Sequence, residues 1–188
     1  AFWGATSIDA NNVNFIRFAD IILWAAECEV QIGSLTTAEQ YVNQVRARAA
    51  DPSGWVYANA TYDAATSKYT PQTKPADNYK IGLYPSGTFA ANGQAYALKA
   101  VYFERRLELA MEGHRFFDLQ RWDNGTGSMA QTLNTYQQVE KSRHSFYYTN
   151  PTAKFTKGVN EYFPIPQRQI DVENSMGSTN LKQNPGYN

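Results

Sequence analysis

A mainly α-helical fold with long irregular loops and minor β structure is what this sequence predicts, and three observations carry the prediction. Over residues 15–32, at 100° per residue, Arg17, Asp20, Trp24, Glu27 and Gln31 fall on one narrow stripe while most other positions are apolar. Residues 95–119 form a second long helical pattern, dense in charge. Between them, in residues 51–97, Pro52, Gly54, Pro71, Pro75, Gly82, Pro85, Gly87 and Gly93 punctuate a polar, aromatic-rich stretch that no long helix can cross.

Taken in order, the first helix is apolar on so many sides that it must be buried on several of them, and Gly33 supplies its stop. Thr36-Thr37-Ala38-Glu39 reads as a capping box opening a second helix through about Ala49, with Tyr41, Val42, Val45 and Ala49 facing inward. The result is a helix hairpin over about 15–49, the size of one tetratricopeptide unit. In the aromatic loop 51–97, Tyr79 to Tyr84 could form a short strand. Helices follow over about 95–119 and 129–143, separated by the turn dipeptide Asn124-Gly125. The tail from Tyr162 carries Pro164, Pro166 and Pro185 and is irregular apart from one helical turn near Gln167 to Val172.

Composition narrows the function. The 188 residues suit one domain or a piece of a larger one, and a start at Ala1-Phe2-Trp3-Gly4 without Met reads as a chain cut from a longer protein. With Lys+Arg and Asp+Glu at 17 each there is no basic excess to neutralise phosphates, so nucleic acid is not an expected partner. The single cysteine, Cys28, makes no internal disulfide and reads as a small buried residue.

The helix over 95–119 places Glu104, Glu108 and Glu112 four apart on one stripe, a repulsive arrangement unless cations answer it. Arg115 shares the stripe, and Arg17, Arg46 and Arg48 on the first hairpin are candidate partners, so structural ion pairs are expected. A carboxylate-bridged metal pair needs Glu-x-x-His, but Met111 stands three before His114, so neither metal nor cofactor is expected. A glycosidase pair needs one carboxyl with a raised pKa, which Arg-rich surroundings oppose. Exposed rings can stack on sugars while nearby Asn, Gln, Asp and Thr bond hydroxyls, which makes Trp55, Tyr57 and Tyr62, with Trp3 on the same logic, candidate ligand-binding residues. Rings in a long loop can equally pin that loop to the body of the protein.

Five phrases stand out in order: Arg17 to Leu23 running on to Ala26-Glu27, Val42 to Ala49, Phe103 to Trp122 (FERRLELAMEGHRFFDLQRW), Tyr162 to Pro166, and Leu181 to Tyr187. In that order they resemble the C-terminal half of SusD/RagB family outer-membrane lipoproteins. The resemblance implies a SusD-like helical fold with tetratricopeptide-like helix pairs. It implies non-catalytic binding of an oligosaccharide or polysaccharide for import through a SusC-like TonB-dependent transporter. It also implies a place on the outer-membrane surface, held by a lipid anchor on a segment absent from this chain, and a missing N-terminal half as a further partner. No glycan-contacting residue carries over by motif. Two other readings stand beside it: a carbohydrate-active hydrolase using helix carboxylates, and a helical protein-binding scaffold with peptide cargo.

Overall fold

A computed structural model describes residues 15–144, 153–177 and 181–187. The predicted class holds: the chain is mainly helical, with one short two-stranded sheet among the described residues. It divides into two units, 1–111 and 112–188. No described helix is long and apolar enough to cross a membrane.

In the first unit, helix α1 (Phe18–Ile32) runs antiparallel to α2 (Leu35–Ala50). Gly33 ends α1, its N–H bonding Glu29 O at 3.0 Å, and the Glu29 carboxylate folds over it to accept from Ser34 N at 2.8 Å. A Cβ at Gly33 would meet that carboxylate, so any larger residue there would displace the Glu29 side chain from Ser34 N. The expected capping box does not form. Ser34 is the N-cap instead, accepting from Thr37 N at 3.3 Å, and Glu39 turns inward to another task.

Leu23, Ala26 and Val30 of α1 meet Ala38, Val42 and Val45 of α2, and a short helix α3 (Thr88–Asn92) adds the fully buried Phe89. Helix α4 (Gln94–Glu108) closes this core with Ala97, Ala100 and Val101. Burying each large side chain of this set contributes about 1.5–3 kcal/mol. Part of the polar stripe of α1 turns inward: Asp20 and Glu27 are buried, whereas Trp24 and Gln31 are exposed, as are Phe18 and Ile32 at 71% and 92%. Cys28 is exposed, which corrects the expectation of burial; it lies with Phe18, Ile21 and Ile32 on the outer side of α1.

The single helix expected over 95–119 is two helices. After Glu108 the chain leaves the helix at Leu109, Met111 takes φ 67° and Gly113 φ 82°, and a new helix begins at His114. Left-handed backbone at Gly113 carries no steric penalty, and a glycine inside a continuous helix costs about 1 kcal/mol, while left-handed Met111 costs the break about as much, so local terms leave the two paths nearly balanced. Glu112 therefore lies beyond the end of α4 and is exposed.

The loop between α2 and α3 also differs from expectation. Tyr79 to Tyr84 is not a strand; strands β1 (Thr61–Asp63) and β2 (Lys68–Thr70) form a hairpin earlier in the loop, with Thr61, Tyr62 and Asp63 opposite Thr70, Tyr69 and Lys68.

The second unit begins with α5 (His114–Asp123), which the left-handed Asn124 and Gly125 separate from α6 (Ser128–Arg143). Asp123 caps α6, accepting from Met129 N at 2.7 Å and Ser128 Oγ at 3.1 Å, and these donors hold its carboxyl below the usual range. Helix α7 (Gln167–Ser175) extends the helical turn expected near Gln167. Amide side chains tie the irregular segments down. Asn134 accepts from Phe155 N and donates to Phe155 O, while Gln183 does the same for Ile165, all at 2.7–2.9 Å. Each amide thus acts as a one-residue strand partner for an otherwise unpaired backbone.

The charge buried between α1 and α4 sets the first expectation. Arg105 Nη1 donates to Asp20 Oδ1 at 2.7 Å with both residues at 2% exposure or less, and the guanidinium lies 5.6 Å from the Trp24 ring centroid. Arg105→Met should lower unfolding free energy by about 3–5 kcal/mol by stranding a buried carboxylate. The double variant Asp20→Leu/Arg105→Met should recover most of that loss, as read from urea denaturation midpoints.

Candidate ligand-binding surface

Two arrangements gather most of the residues singled out by sequence, all but Glu112, Arg115 and Trp3: an ionic scaffold on α4 and an aromatic ribbon between α2 and α3. On α4, Glu104 Oε2 accepts from Arg46 Nη1 at 2.7 Å. Glu108 accepts from Arg17 at 2.5 Å and from Arg48 at 2.6 Å. Arg17 also donates to the main-chain carbonyl of Glu108, the last residue of α4, where a cation complements the helix dipole. Arg115 and Glu112 belong to the second unit, and Arg115 lies 5.8 Å from the Trp122 ring centroid. The pairing that spacing arguments missed is Arg105 with Asp20. Its signal was an aspartate set inside the apolar run of α1, which no buried helix face tolerates without a cation.

Three polar residues one turn apart on α2 hold the end of the loop. Glu39 accepts from Gly87 N at 2.9 Å and Phe89 N at 2.8 Å. Asn43 brackets Tyr84, donating to its carbonyl at 2.9 Å and accepting from its N–H at 2.8 Å. Arg46 donates to Gly82 O at 2.5 Å and lies 5.1 Å from the Tyr84 ring centroid. Burial there raises the Tyr84 phenol above its usual value. Glu39 was read as part of a capping box for its own helix; it supplies acceptors to the start of α3 instead.

The rest of the loop folds back on itself as an antiparallel ribbon. Ala58 N reaches Lys74 O at 2.9 Å and Ala76 N reaches Val56 O at 2.8 Å, while Asn59 bonds both the Thr73 hydroxyl and Lys74 N. At its base, Trp55 stacks on Tyr79 with centroids 4.8 Å apart and donates Nε1–H to Ala49 O at 3.1 Å. Tyr57 gives its hydroxyl proton to Pro52 O at 2.9 Å. Both of these rings are half-buried and engaged with the loop.

Farther along the ribbon, Tyr62 and Tyr69 sit opposite each other in the hairpin with centroids 5.2 Å apart and planes at 55°. They are 57% and 58% exposed. Thr61, Asp63, Lys68 and Thr70 flank them along the strands. Asp63 organises the hairpin tip: the Thr66 hydroxyl and Ala65 N–H, at 2.8 and 2.9 Å, hold its carboxyl below the usual range. Trp3 lies outside the described residues. Among the described residues no cluster of three His, Cys, Asp or Glu side chains is placed to hold a metal ion.

Comparison with known proteins bears on these arrangements. A family model described as the SusD family matches residues 3–187. SusD-like protein P25 of Formosa agariphila is 32% identical over 114 residues, which are 60% of this chain and 16% of that protein. The chain thus spans about a sixth of the length of the curated relative it matches. No solved structure matches it.

Glu104 is 4% exposed, and its burial pushes the carboxyl above the usual 4.5 while Arg46 pulls it back. A folded-state value above the unfolded one means the folded protein keeps this proton to higher pH, so the group's contribution to stability falls as pH rises from 4.5 through the raised value. Glu104→Gln should remove that decline, and unfolding free energies of the two proteins should diverge in its favour between acid and neutral pH. Arg46→Leu, which strands the carboxylate, should cost about 3 kcal/mol at neutral pH.

Proposed function

The chain belongs to the SusD family, and from that premise we propose that it forms part of a non-catalytic protein that captures glycan for import. In this reading the whole protein sits on the outer-membrane surface by a lipid anchor outside this chain. It passes its cargo to a SusC-like TonB-dependent transporter, and the N-terminal half of the same protein completes the structure.

The observation that carries the reading is the Tyr62–Tyr69 pair. A sugar stacks its C–H face on an aromatic ring and needs hydroxyl partners beside it. Two tilted rings, more than half exposed on a braced hairpin, offer such faces at no further ordering cost. Tyr57 commits its hydroxyl to the loop backbone, and Tyr79 accepts from Val56 N; the Tyr62 and Tyr69 hydroxyls make no such bond among the described residues. We assign the stacking role to Tyr62 with Tyr69, and a bracing role to Trp55 and Tyr57. The carboxylates of Glu104 and Glu108 are occupied by arginines, which supports binding over hydrolysis.

A glycan array on the intact protein should return oligosaccharide or polysaccharide ligands, and labelled ligands should be recovered uncleaved after incubation. Tyr62→Ala and Tyr69→Ala should each weaken binding about three- to tenfold, with helical circular dichroism unchanged. Full affinity in the double variant would place the sugar site elsewhere.

A further inference from the structure

The second unit holds an open groove of about 390 Å³ between α6 and residues 153–160, lined by Leu133, Asn134, Gln137, Ala153, Lys154, Phe155 and Asn160. Its volume lies within the range of small-molecule sites. The walls are held in place. Asn134 uses its carbonyl and amide on the backbone of Phe155, and the Phe155 ring packs on Phe116 with centroids 6.5 Å apart. Asn160 accepts from Thr156 N at 2.6 Å, which fixes its amide and leaves its N–H groups as donors. Gln137 and Lys154 have no side-chain partner among the described residues.

We infer that this groove binds an acidic saccharide, its ring hydroxyls meeting the amides of Gln137 and Asn160 and its anionic group meeting the Lys154 ammonium. The inference rests on the glycan-binding reading above and adds a ligand class and a second site to it. Two features select the ligand. Amide donors and acceptors over an apolar floor of Leu133 and Phe155 match a ring with hydroxyls on its edge and C–H groups on its face. Lys154 is the one charged residue in the lining among the described residues, so the field it sets up there favours an anion. Two further cations stand nearby, Lys141 reaching Ala153 O at 3.5 Å and Lys157 bonding Thr126 O at 3.2 Å, while the carboxylates of Glu140 on α6 and of the buried Glu161 lie outside the described lining.

The test compares a galacturonate trisaccharide with a neutral galactose trisaccharide on the full chain by titration calorimetry at low ionic strength. The acidic sugar should bind about fivefold tighter, the size of one exposed charge pair. That preference should vanish in Lys154→Met and at about 0.5 M salt, weaken in Gln137→Ala, and survive Tyr62→Ala/Tyr69→Ala. Equal affinity for the two sugars, or a preference untouched by Lys154→Met, overturns the groove assignment. If the neutral sugar still binds and loses affinity in the tyrosine variants, the proposed function stands without it. No binding of either sugar overturns the groove assignment, and the glycan array then decides the proposed function separately. A glutamate tripeptide that binds the groove as tightly as the uronate overturns the saccharide assignment in favour of an acidic peptide.

Discussion

Charge that must be buried governs the first unit. α4 brings Glu104, Arg105 and Glu108 against two helices whose facing residues are otherwise small and apolar, and an ion in that setting is tolerated only with an opposite charge in contact. Arg105 finds Asp20 on α1, Glu104 finds Arg46 on α2, and Glu108 draws in Arg17 and Arg48 from the two ends of the hairpin. These pairs specify more than they stabilise. Apolar helix faces can slide past one another with little change in buried area, but a one-turn slip of α4 would separate every pair at once.

The same logic positions the ribbon. Arg46 answers Glu104 with one nitrogen and holds Gly82 with another, and Glu39 and Asn43 secure the two segments that follow. A stripe of three polar residues on α2 therefore fixes where the loop ends, while the last turn of that helix, through Ala49 O and Trp55, fixes where it begins. Between these anchors the chain has enough hydrogen bonds to fold as a ribbon and too little apolar surface to collapse. Its outer rings stay exposed for that reason.

The second unit solves a related problem by different means. Its connecting segments carry prolines and glycines and cannot extend a sheet, so their backbone groups need other partners. Asn134 and Gln183 each pair one residue on both sides, and Asn184 adds a bond to Phe163 O at 2.6 Å. The outcome is a set of braced loops with amide-rich surfaces, and the polar groove is one of them.

Helical periodicity, glycine punctuation and charge spacing were enough to determine the helical class, the first hairpin, α6, and the meeting of Glu104 and Glu108 with arginines on that hairpin. The helices arise from neighbours within one or two turns, which a linear sequence displays directly, and the like-charge spacing of Glu104 and Glu108 announced the need for cations that the hairpin supplies from 58 to 91 residues away. The phrases shared with SusD/RagB proteins pointed to the family for the same reason, being mostly contiguous scaffold. Tertiary structure alone decided which face of α1 turns inward, because an aspartate is a solvent residue until Arg105 arrives from 85 residues away. It also divided the aromatic loop into rings that brace and rings that remain open. Trp55, Tyr57 and Tyr62 look alike in sequence, and only the strand register and the partners of each ring separate them. The break after Glu108 belongs to both: Gly113 permits it, but continuation and termination differ locally by only about 1 kcal/mol, too little for the helical pattern of 95–119 to reveal it.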